Sequence, residues 1–377
     1  MRNILKKILP KKIKRIIIYL LCAIKVYGKF FARLCLGRYA TILNRKKYPT
    51  TLQLPITYKC NFDCVMCGMR KMISNSNITP DELRTILSDK LFCKIKSVGL
   101  NGGEPFLLKD LEQYVYAITE SLPKLSDLFI ITNGYPTNNI IEKLKLIYKH
   151  CNQKSIKLTL SISVDGIGEM QDIMRGKDGA FKHVCETLSQ IEDDKIHLCD
   201  YYQIACTITK VNVYHIAELE AWAENMGYPV TFNIATEHKR LKNEDKYDQF
   251  SLFGDEHARM LAAEFFYSKY FETHSERYYG LYYYIKYEKR IMMCYHKNDA
   301  VTLLPNGHLA YCATHSDEIG NCCTDKAKNI FFNSDNIAYR KEMQATYCDE
   351  CSQYSAILTP QAYLKHYAKE RMKDVAI

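Results

Sequence analysis

Three cysteines set the chemistry of the first half of this chain. Cys60-Asn61-Phe62-Asp63-Cys64-Val65-Met66-Cys67 is a C-x3-C-x2-C loop. Thiolates this close together can fold around one metal centre. A cubane iron–sulfur cluster usually takes four thiolates, so three leave one iron open to a small ligand. A structural zinc would want a fourth ligand. None follows at finger-like spacing, and His183 or His197 could supply it only by long-range folding. The open iron–sulfur cluster is the first reading and zinc the second. A second group gathers near the other end: Cys294, Cys312, Cys322, Cys323, Cys348 and Cys351. In a chain of this size such clusters read as metal ligands rather than disulfides, and imply a reducing cytosol. Cys93, Cys151, Cys185, Cys199 and Cys206 are scattered and read as core filling.

The elements that must position these groups can be read along the chain. Leu52–Thr57 is a short apolar run leading into the first cysteine loop. Further strands are expected at Ser97–Leu100, Asp127–Thr132, Ile156–Val164, Tyr202–Thr209 and Val230–Ala235. Helical stretches alternate with them. Thr79-Pro80-Asp81-Glu82 opens one with a capping box, and others run from about Asn138 to Lys149 and from about Tyr214 to Met226. Repeated βα units predict an α/β fold with a parallel sheet, open or closed into a barrel. Ligands bind such folds at the carboxyl ends of the strands, where every unusual motif of this sequence falls. Taken singly, Gly103 and Gly134 would be turn glycines. Residues 254–290 read as helical, with aromatics at Tyr278 to Tyr287 suited to packing. From Cys294 the texture changes to short apolar runs and turns such as Pro305-Asn306-Gly307, the mark of a small separate domain.

The chain of 377 residues is 47% hydrophobic and 25% charged, an ordinary globular composition for two or three domains. Its net charge of +10 is unevenly placed. Residues 1–47 hold 14 of the 52 Lys and Arg and none of the 42 Asp and Glu, which leaves the body at −4. A nucleic-acid-binding surface on the body is therefore not expected. The apolar run Ile16–Ile24 is too short to span a bilayer, and Lys25, Lys29 and Arg33 recur on one helical face with Tyr27, Phe30, Phe31 and Leu34 between them. No cleavage site for a secretory signal is evident. Such a segment suits peripheral contact of residues 1–40 with an anionic membrane, here its inner face. A helix packed on the body or a basic tail is the alternative.

The ordered set of motifs resembles the radical S-adenosylmethionine (SAM) superfamily. In that family the C-x3-C-x2-C cysteines bind a [4Fe–4S] cluster whose open iron is chelated by SAM, so the resemblance assigns Cys60, Cys64 and Cys67 to it. Gly102-Gly103-Glu104-Pro105 matches the GGEP motif, which contacts the methionine amino group. The glycines would let backbone approach that ligand, and the carboxylate would accept from its ammonium. Thr132-Asn133-Gly134 resembles the third-strand TNG segment. Ser161-Ile162-Ser163-Val164-Asp165-Gly166, Met174-Arg175-Gly176 and Gly179-Ala180-Phe181 resemble the S-x-D-G…R-G…G-x-F stretch, with Ser163 and Arg175 as cofactor contacts. Thr209-Lys210-Val211-Asn212 resembles the T-K-x-N end, bringing in Lys210. Met66 stands where the family often has an aromatic residue and could pack on adenine.

The resemblance implies a partial (βα)6 barrel followed by a small cysteine-rich domain of the SPASM/twitch kind. The expected division is an arm at 1–47, the barrel at 48–240, a tyrosine-rich connector at 241–290 and the auxiliary domain at 291–377. Cys294, Cys312, Cys348 and Cys351 suit the short twitch form with one auxiliary [4Fe–4S] cluster. Cys322 or Cys323 could replace a ligand, and a zinc ribbon remains an alternative. The implied activity is hydrogen abstraction by a 5′-deoxyadenosyl radical, with net oxidation of a small molecule such as a sugar or glycan precursor. A flavodoxin or ferredoxin would supply electrons. Maturation of a ribosomal peptide or protein is a second reading, and a non-enzymatic iron–sulfur scaffold at a membrane a third.

Overall fold

The computed structural model describes residues 10, 12–21, 23, 24, 27, 28, 47–72, 77–297, 299–351 and 358–367. Lys25, Lys29, Phe30, Phe31, Arg33 and Leu34 of the arm lie outside the described residues.

All six expected strands form: β1 Thr51–Pro55, β2 Ser97–Asn101, β3 Asp127–Thr132, β4 Lys157–Ser163, β5 Tyr201–Ile208 and β6 Val230–Ile234. They are parallel, and each pairs with its sequence neighbour. Leu52, Leu54, Val98, Leu100, Leu128, Ile130, Leu158, Leu160, Ile162 and Ile204 are buried, the near-continuous burial that a helix-covered parallel sheet requires. The crossover helices are α1 Pro80–Leu87, α2 Leu111–Ser121, α3 Thr137–Gln153, α4 Glu169–Arg175, α5 Ala180–Asp194 and α6 Ile216–Met226. The capping box of α1 is complete. Thr79 Oγ1 accepts from Glu82 N at 3.3 Å, and Glu82 Oε2 accepts from Thr79 N at 2.7 Å.

The sheet does not stop at the sixth strand. Its order is β6-β5-β4-β3-β2-β1-β7-β8-β9, with β7 Ala300–Leu303, β8 His308–Ala310 and β9 Gly320–Asn321. β7 pairs parallel with β1, while β8 and β9 add antiparallel through the Pro305-Asn306-Gly307 turn. The stretch expected to form a small separate domain thus contributes three strands to the same sheet. β1 would otherwise present an unpaired edge, and the fully buried strand β7 covers it.

Contacts divide the chain into two compact units. One holds Tyr48–Ala262 and Tyr295–Asp349, and so contains the whole sheet. The other holds Met1–Lys47, Ala263–Cys294 and Glu350–Ile377. Within the second unit, the helices Glu256–Thr273 (from Ala263 onward) and Glu276–Tyr287 pack through aromatic rings. The Tyr270 ring lies 5.1 Å from that of Tyr279 and 5.5 Å from that of Tyr367, as the tyrosine pattern suggested.

Candidate functional site

The chain leaving β1 passes through buried Ile56, Thr57 and Tyr58 to Cys60. Backbone bonds from two other segments then fix the cysteine loop. Asp63 N donates to Arg175 O at 3.2 Å, Val65 N to Met174 O at 3.0 Å, and Gly68 N to Leu241 O at 2.9 Å. Side chains hold its remaining carbonyls. Lys246 Nζ donates to Cys67 O at 2.9 Å and Cys64 O at 3.4 Å, and pairs with Asp63 Oδ1 at 3.3 Å. Asn243 Nδ2 donates to Met66 O at 2.9 Å. Lys246 and Asn243 were not legible as site residues. They lie far along the chain and belong to no motif.

Burial pushes the Cys60 thiol up to about 12 and the Cys64 thiol up to about 11, and it raises Cys67 as well. Cys60 and Cys64 also feel the charge of neighbouring thiols, whereas Arg240, Lys246 and Arg175 pull Cys67 down, so holding all three as thiolates calls for positive charge among them. Iron supplies that charge, and the donor set fits an iron–sulfur cluster. Among the described residues no three His, Cys, Asp or Glu side chains are gathered closely enough to hold a single metal ion.

Gly102-Gly103-Glu104-Pro105 follows β2 and packs on this loop. Gly103 N donates to Thr57 O at 2.7 Å and Glu104 N to Lys59 O at 2.9 Å. A Cβ on Gly103 would stand 2.1 Å from Lys59 O. The close approach foreseen for a ligand is thus made to the backbone just before Cys60. The Glu104 carboxylate is also committed within the protein. It is fully buried and accepts from Thr132 Oγ1 at 2.9 Å, Asn133 N at 2.7 Å and Phe106 N at 3.1 Å. Burial pushes it up to about 7 while these donors pull it down. Within the protein, Glu104 ties β3 and the short turn Pro105–Leu107 to the end of β2.

Thr132 and Asn133 complete that tie. Asn133 Nδ2 donates to Asn61 Oδ1 at 2.8 Å, inside the cysteine loop, and Asn61 Nδ2 donates to Tyr135 O at 3.1 Å. Arg175 is buried beside the thiols, with Nη1 3.9 Å from Cys64 Sγ and Nη2 2.7 Å from Asp165 Oδ2. Gly176, at φ +56°, brings its Cα so near the loop that a Cβ would meet Asp63 O at 2.1 Å. Ser163 is half-buried at the end of β4, and its carbonyl accepts from Gln171 Nε2 at 3.1 Å. In the T-K-x-N segment, Asn212 Oδ1 accepts from Thr209 N at 2.7 Å and Asn212 Nδ2 donates to Asp165 O at 2.8 Å. That turn joins the ends of β4 and β5, with half-buried Lys210 at its corner. Met66 packs with Met174 and Phe250.

The second cysteine set is distributed differently. Cys312 and Cys348 fall in the sheet-bearing unit, Cys294 and Cys351 in the other. Cys312 Sγ accepts from His315 N at 3.4 Å. Cys312 and Cys348 both act on the charge of Arg340, whose guanidinium stacks 4.5 Å from the Tyr311 ring centroid. In the other unit Arg290 donates to Met292 O at 2.8 Å, Met293 O at 3.0 Å and Cys351 O at 2.6 Å, clipping the approach to Cys294 onto Cys351. Cys322 is partly buried and Cys323 exposed beside Gly307, just after β9.

The Radical SAM superfamily model matches residues 54–210, from β1 to the end of β5. A probable GTP 3′,8-cyclase of Methanocaldococcus jannaschii is 33% identical over 97 residues, covering 25% of this chain and 32% of the relative. The GTP 3′,8-cyclase of Vibrio cholerae serotype O1 is 29% identical over 139 residues, covering 35% and 41%. The chain thus spans well under half the length of these curated relatives. Among solved structures, anSMEcpe with bound AdoMet superposes with a TM-score of 0.56 at 17% identity, over 87% of this chain and 99% of that one. Streptococcus suis SuiB bound to its precursor peptide SuiA gives a TM-score of 0.56 at 14% identity, over 83% and 72%. These two likenesses show the fold. Residues 54–210 carry a domain of the radical SAM superfamily.

Proposed function

We propose that this chain reductively cleaves SAM at a [4Fe–4S] cluster on Cys60, Cys64 and Cys67, and oxidises a small molecule with the help of one auxiliary [4Fe–4S] cluster on Cys294, Cys312, Cys348 and Cys351. The observation that carries the reading is the cysteine loop at the carboxyl end of β1, held by backbone from the GGEP and R-G motifs. When bound, cluster and SAM supply one-electron cleavage to methionine and a 5′-deoxyadenosyl radical. The residues of the chain do the rest. Gly103, Gly176 and Lys246 fix the loop's backbone, and Glu104 keeps β3 in register with β2. Arg175 sets positive charge beside the Cys64 sulfur, which favours the thiolate.

Flavodoxin or ferredoxin would supply one electron per SAM. An auxiliary cluster held by Cys294, Cys312, Cys348 and Cys351 would take up the electron left on the substrate after hydrogen abstraction, with the proton going to a base or water, so that the net reaction is a two-electron oxidation such as that of an alcohol on a sugar or glycan precursor to a carbonyl. The names of the curated relatives specify a nucleotide, GTP, which favours a small molecule over a peptide. Anaerobically reconstituted protein should hold about 8 irons per chain as two cubanes. About 4 would eliminate the auxiliary cluster. Absence of 5′-deoxyadenosine would leave only a scaffold.

The arm gives the proposal a place in the cell: cytoplasmic, at the inner surface of the membrane. Ile13, Ile16, Tyr19, Leu20, Leu21, Ile24 and Tyr27 are exposed among basic neighbours such as Lys12, Lys14 and Arg15. Among the described residues no helix is long and apolar enough to cross a membrane. Deleting residues 1–40 should abolish co-flotation with anionic liposomes, and unchanged flotation would refute the contact.

A further inference from the structure

Positive charge and exposed apolar surface concentrate in the unit that holds the arm. By sequence that unit has 23 Lys and Arg against 7 Asp and Glu, a net +16, which leaves the sheet-bearing unit at −6. Sixteen large apolar or aromatic side chains are exposed among the described residues, and nine of them belong to it. Seven are in the arm, and the other two are Phe271 and Tyr287 of the tyrosine-rich helices, 39% and 47% exposed. In the sheet-bearing unit the exposed seven sit singly on separate elements, as is ordinary for a protein surface. Phe271 and Tyr287 do not stand singly. The Phe271 ring lies 4.7 Å from Tyr267, Tyr267 lies 4.5 Å from Tyr282, and Tyr282 lies 6.4 Å from Tyr287. Tyr267 and Tyr282 are half-buried, so the four rings form one strip across both helices. Exposed Lys286 stands over it, with Nζ 5.4 Å from the Tyr282 ring centroid and 5.7 Å from that of Tyr287. The charges of the helices themselves nearly balance, with Lys269 paired to Glu272 and Glu264 acting on Lys286, so the excess positive charge of the unit is the arm's.

Aromatic rings tipped by a hydroxyl, and lysines with a long apolar stem, suit the boundary between lipid headgroups and hydrocarbon. A surface of strong positive charge that also exposes apolar groups favours anionic lipid over bulk water. We propose that the ring strip from Phe271 to Tyr287 is a second membrane contact, seated among the headgroups of an anionic phospholipid bilayer, with the arm supplying the charge that draws the unit there. The choice of a bilayer rests on the membrane reading of the arm. The strip itself rests on ring geometry and exposure. None of it draws on the cysteines or on SAM.

The test uses the full chain with vesicles of equal parts phosphatidylcholine and phosphatidylglycerol. Its single tryptophan, Trp222, lies in the sheet-bearing unit, so Phe271→Trp and Tyr287→Trp are each made together with Trp222→Phe. On adding vesicles, emission from position 271 and from position 287 should shift to the blue, and brominated acyl chains should quench it. Phe271→Ala with Tyr287→Ala should lower the vesicle partition coefficient of the chain about tenfold, since two ring contacts with lipid are lost. Both positions are exposed, and their variants should keep the wild-type unfolding temperature. Vesicles that bind the chain yet leave both emissions and the partition coefficient unchanged overturn the strip and leave the arm in contact. A soluble protein seated on the strip in place of lipid gives that same result. If the wild-type chain does not float with these vesicles at all, the membrane reading of the arm falls, and this proposal with it.

Discussion

The two cysteine sets of this protein are built on opposite plans. The first lies on one loop of eight residues, Cys60 to Cys67, and the chain spends other segments on holding that loop's backbone: Gly103, Gly176, Asn243 and Lys246. The second draws its four cysteines from positions up to 57 residues apart, two in each compact unit. It uses an arginine for each pair, Arg340 near Cys312 and Cys348, and Arg290 bonded to Cys351. The first set is gathered by its spacing along the sequence, and the second is spread along it.

The largest effects should separate the sets chemically. Replacing Cys60, Cys64 and Cys67 together by Ala should abolish 5′-deoxyadenosine formation and lower iron from about 8 to about 4 per chain. Cys348→Ala with Cys351→Ala should remove the same number of irons but leave SAM cleavage measurable. A double variant that keeps all its iron would mean that Cys322 or Cys323 is a ligand instead. Next comes Gly176→Ala, whose Cβ would meet Asp63 O at 2.1 Å in a left-handed conformation. Strain at such a φ costs about 1–3 kcal/mol before the collision is counted, so the urea midpoint should fall and cluster loading with it. A variant with the wild-type midpoint would show that the loop can yield. The smallest effects concern the clamps. Lys246→Met removes donors to two carbonyls, a loss of about 1–3 kcal/mol to the loop. Iron extraction by a chelator should quicken for the half of the iron that the Cys60, Cys64, Cys67 variant lacks. Arg290→Met should quicken it for the other half. If both variants release the same half, the contrast between the sites is wrong.

The strands were legible because each is an apolar run ended by polar or glycine residues, and the observed bounds differ from the expected ones by at most two residues. The capping box at Thr79 was legible because both partners lie within one turn. The GGEP motif was legible as a close approach, but a glycine pair records only that something comes near. The structure shows that the Lys59 carbonyl comes near, and that the Glu104 carboxylate serves Thr132 and Asn133. Lys246, Arg290 and Arg340 left no local signal. Lysine and arginine are common, and their roles depend on which distant carbonyl or ring the fold brings beside them. The continuation of the sheet through β7 was hidden for the same reason. Its partner β1 lies about 250 residues earlier, and composition around Cys294 marks a change of texture without showing a pairing.

The central claim is that the loop after β1 loads a cluster that cleaves SAM. The most direct test is to reconstitute the full chain with iron and sulfide under anaerobic conditions, reduce it, add SAM and quantify 5′-deoxyadenosine. The account predicts its formation by the wild-type protein and its loss when Cys60, Cys64 and Cys67 are replaced. A fully loaded, reduced protein that releases no 5′-deoxyadenosine would contradict it.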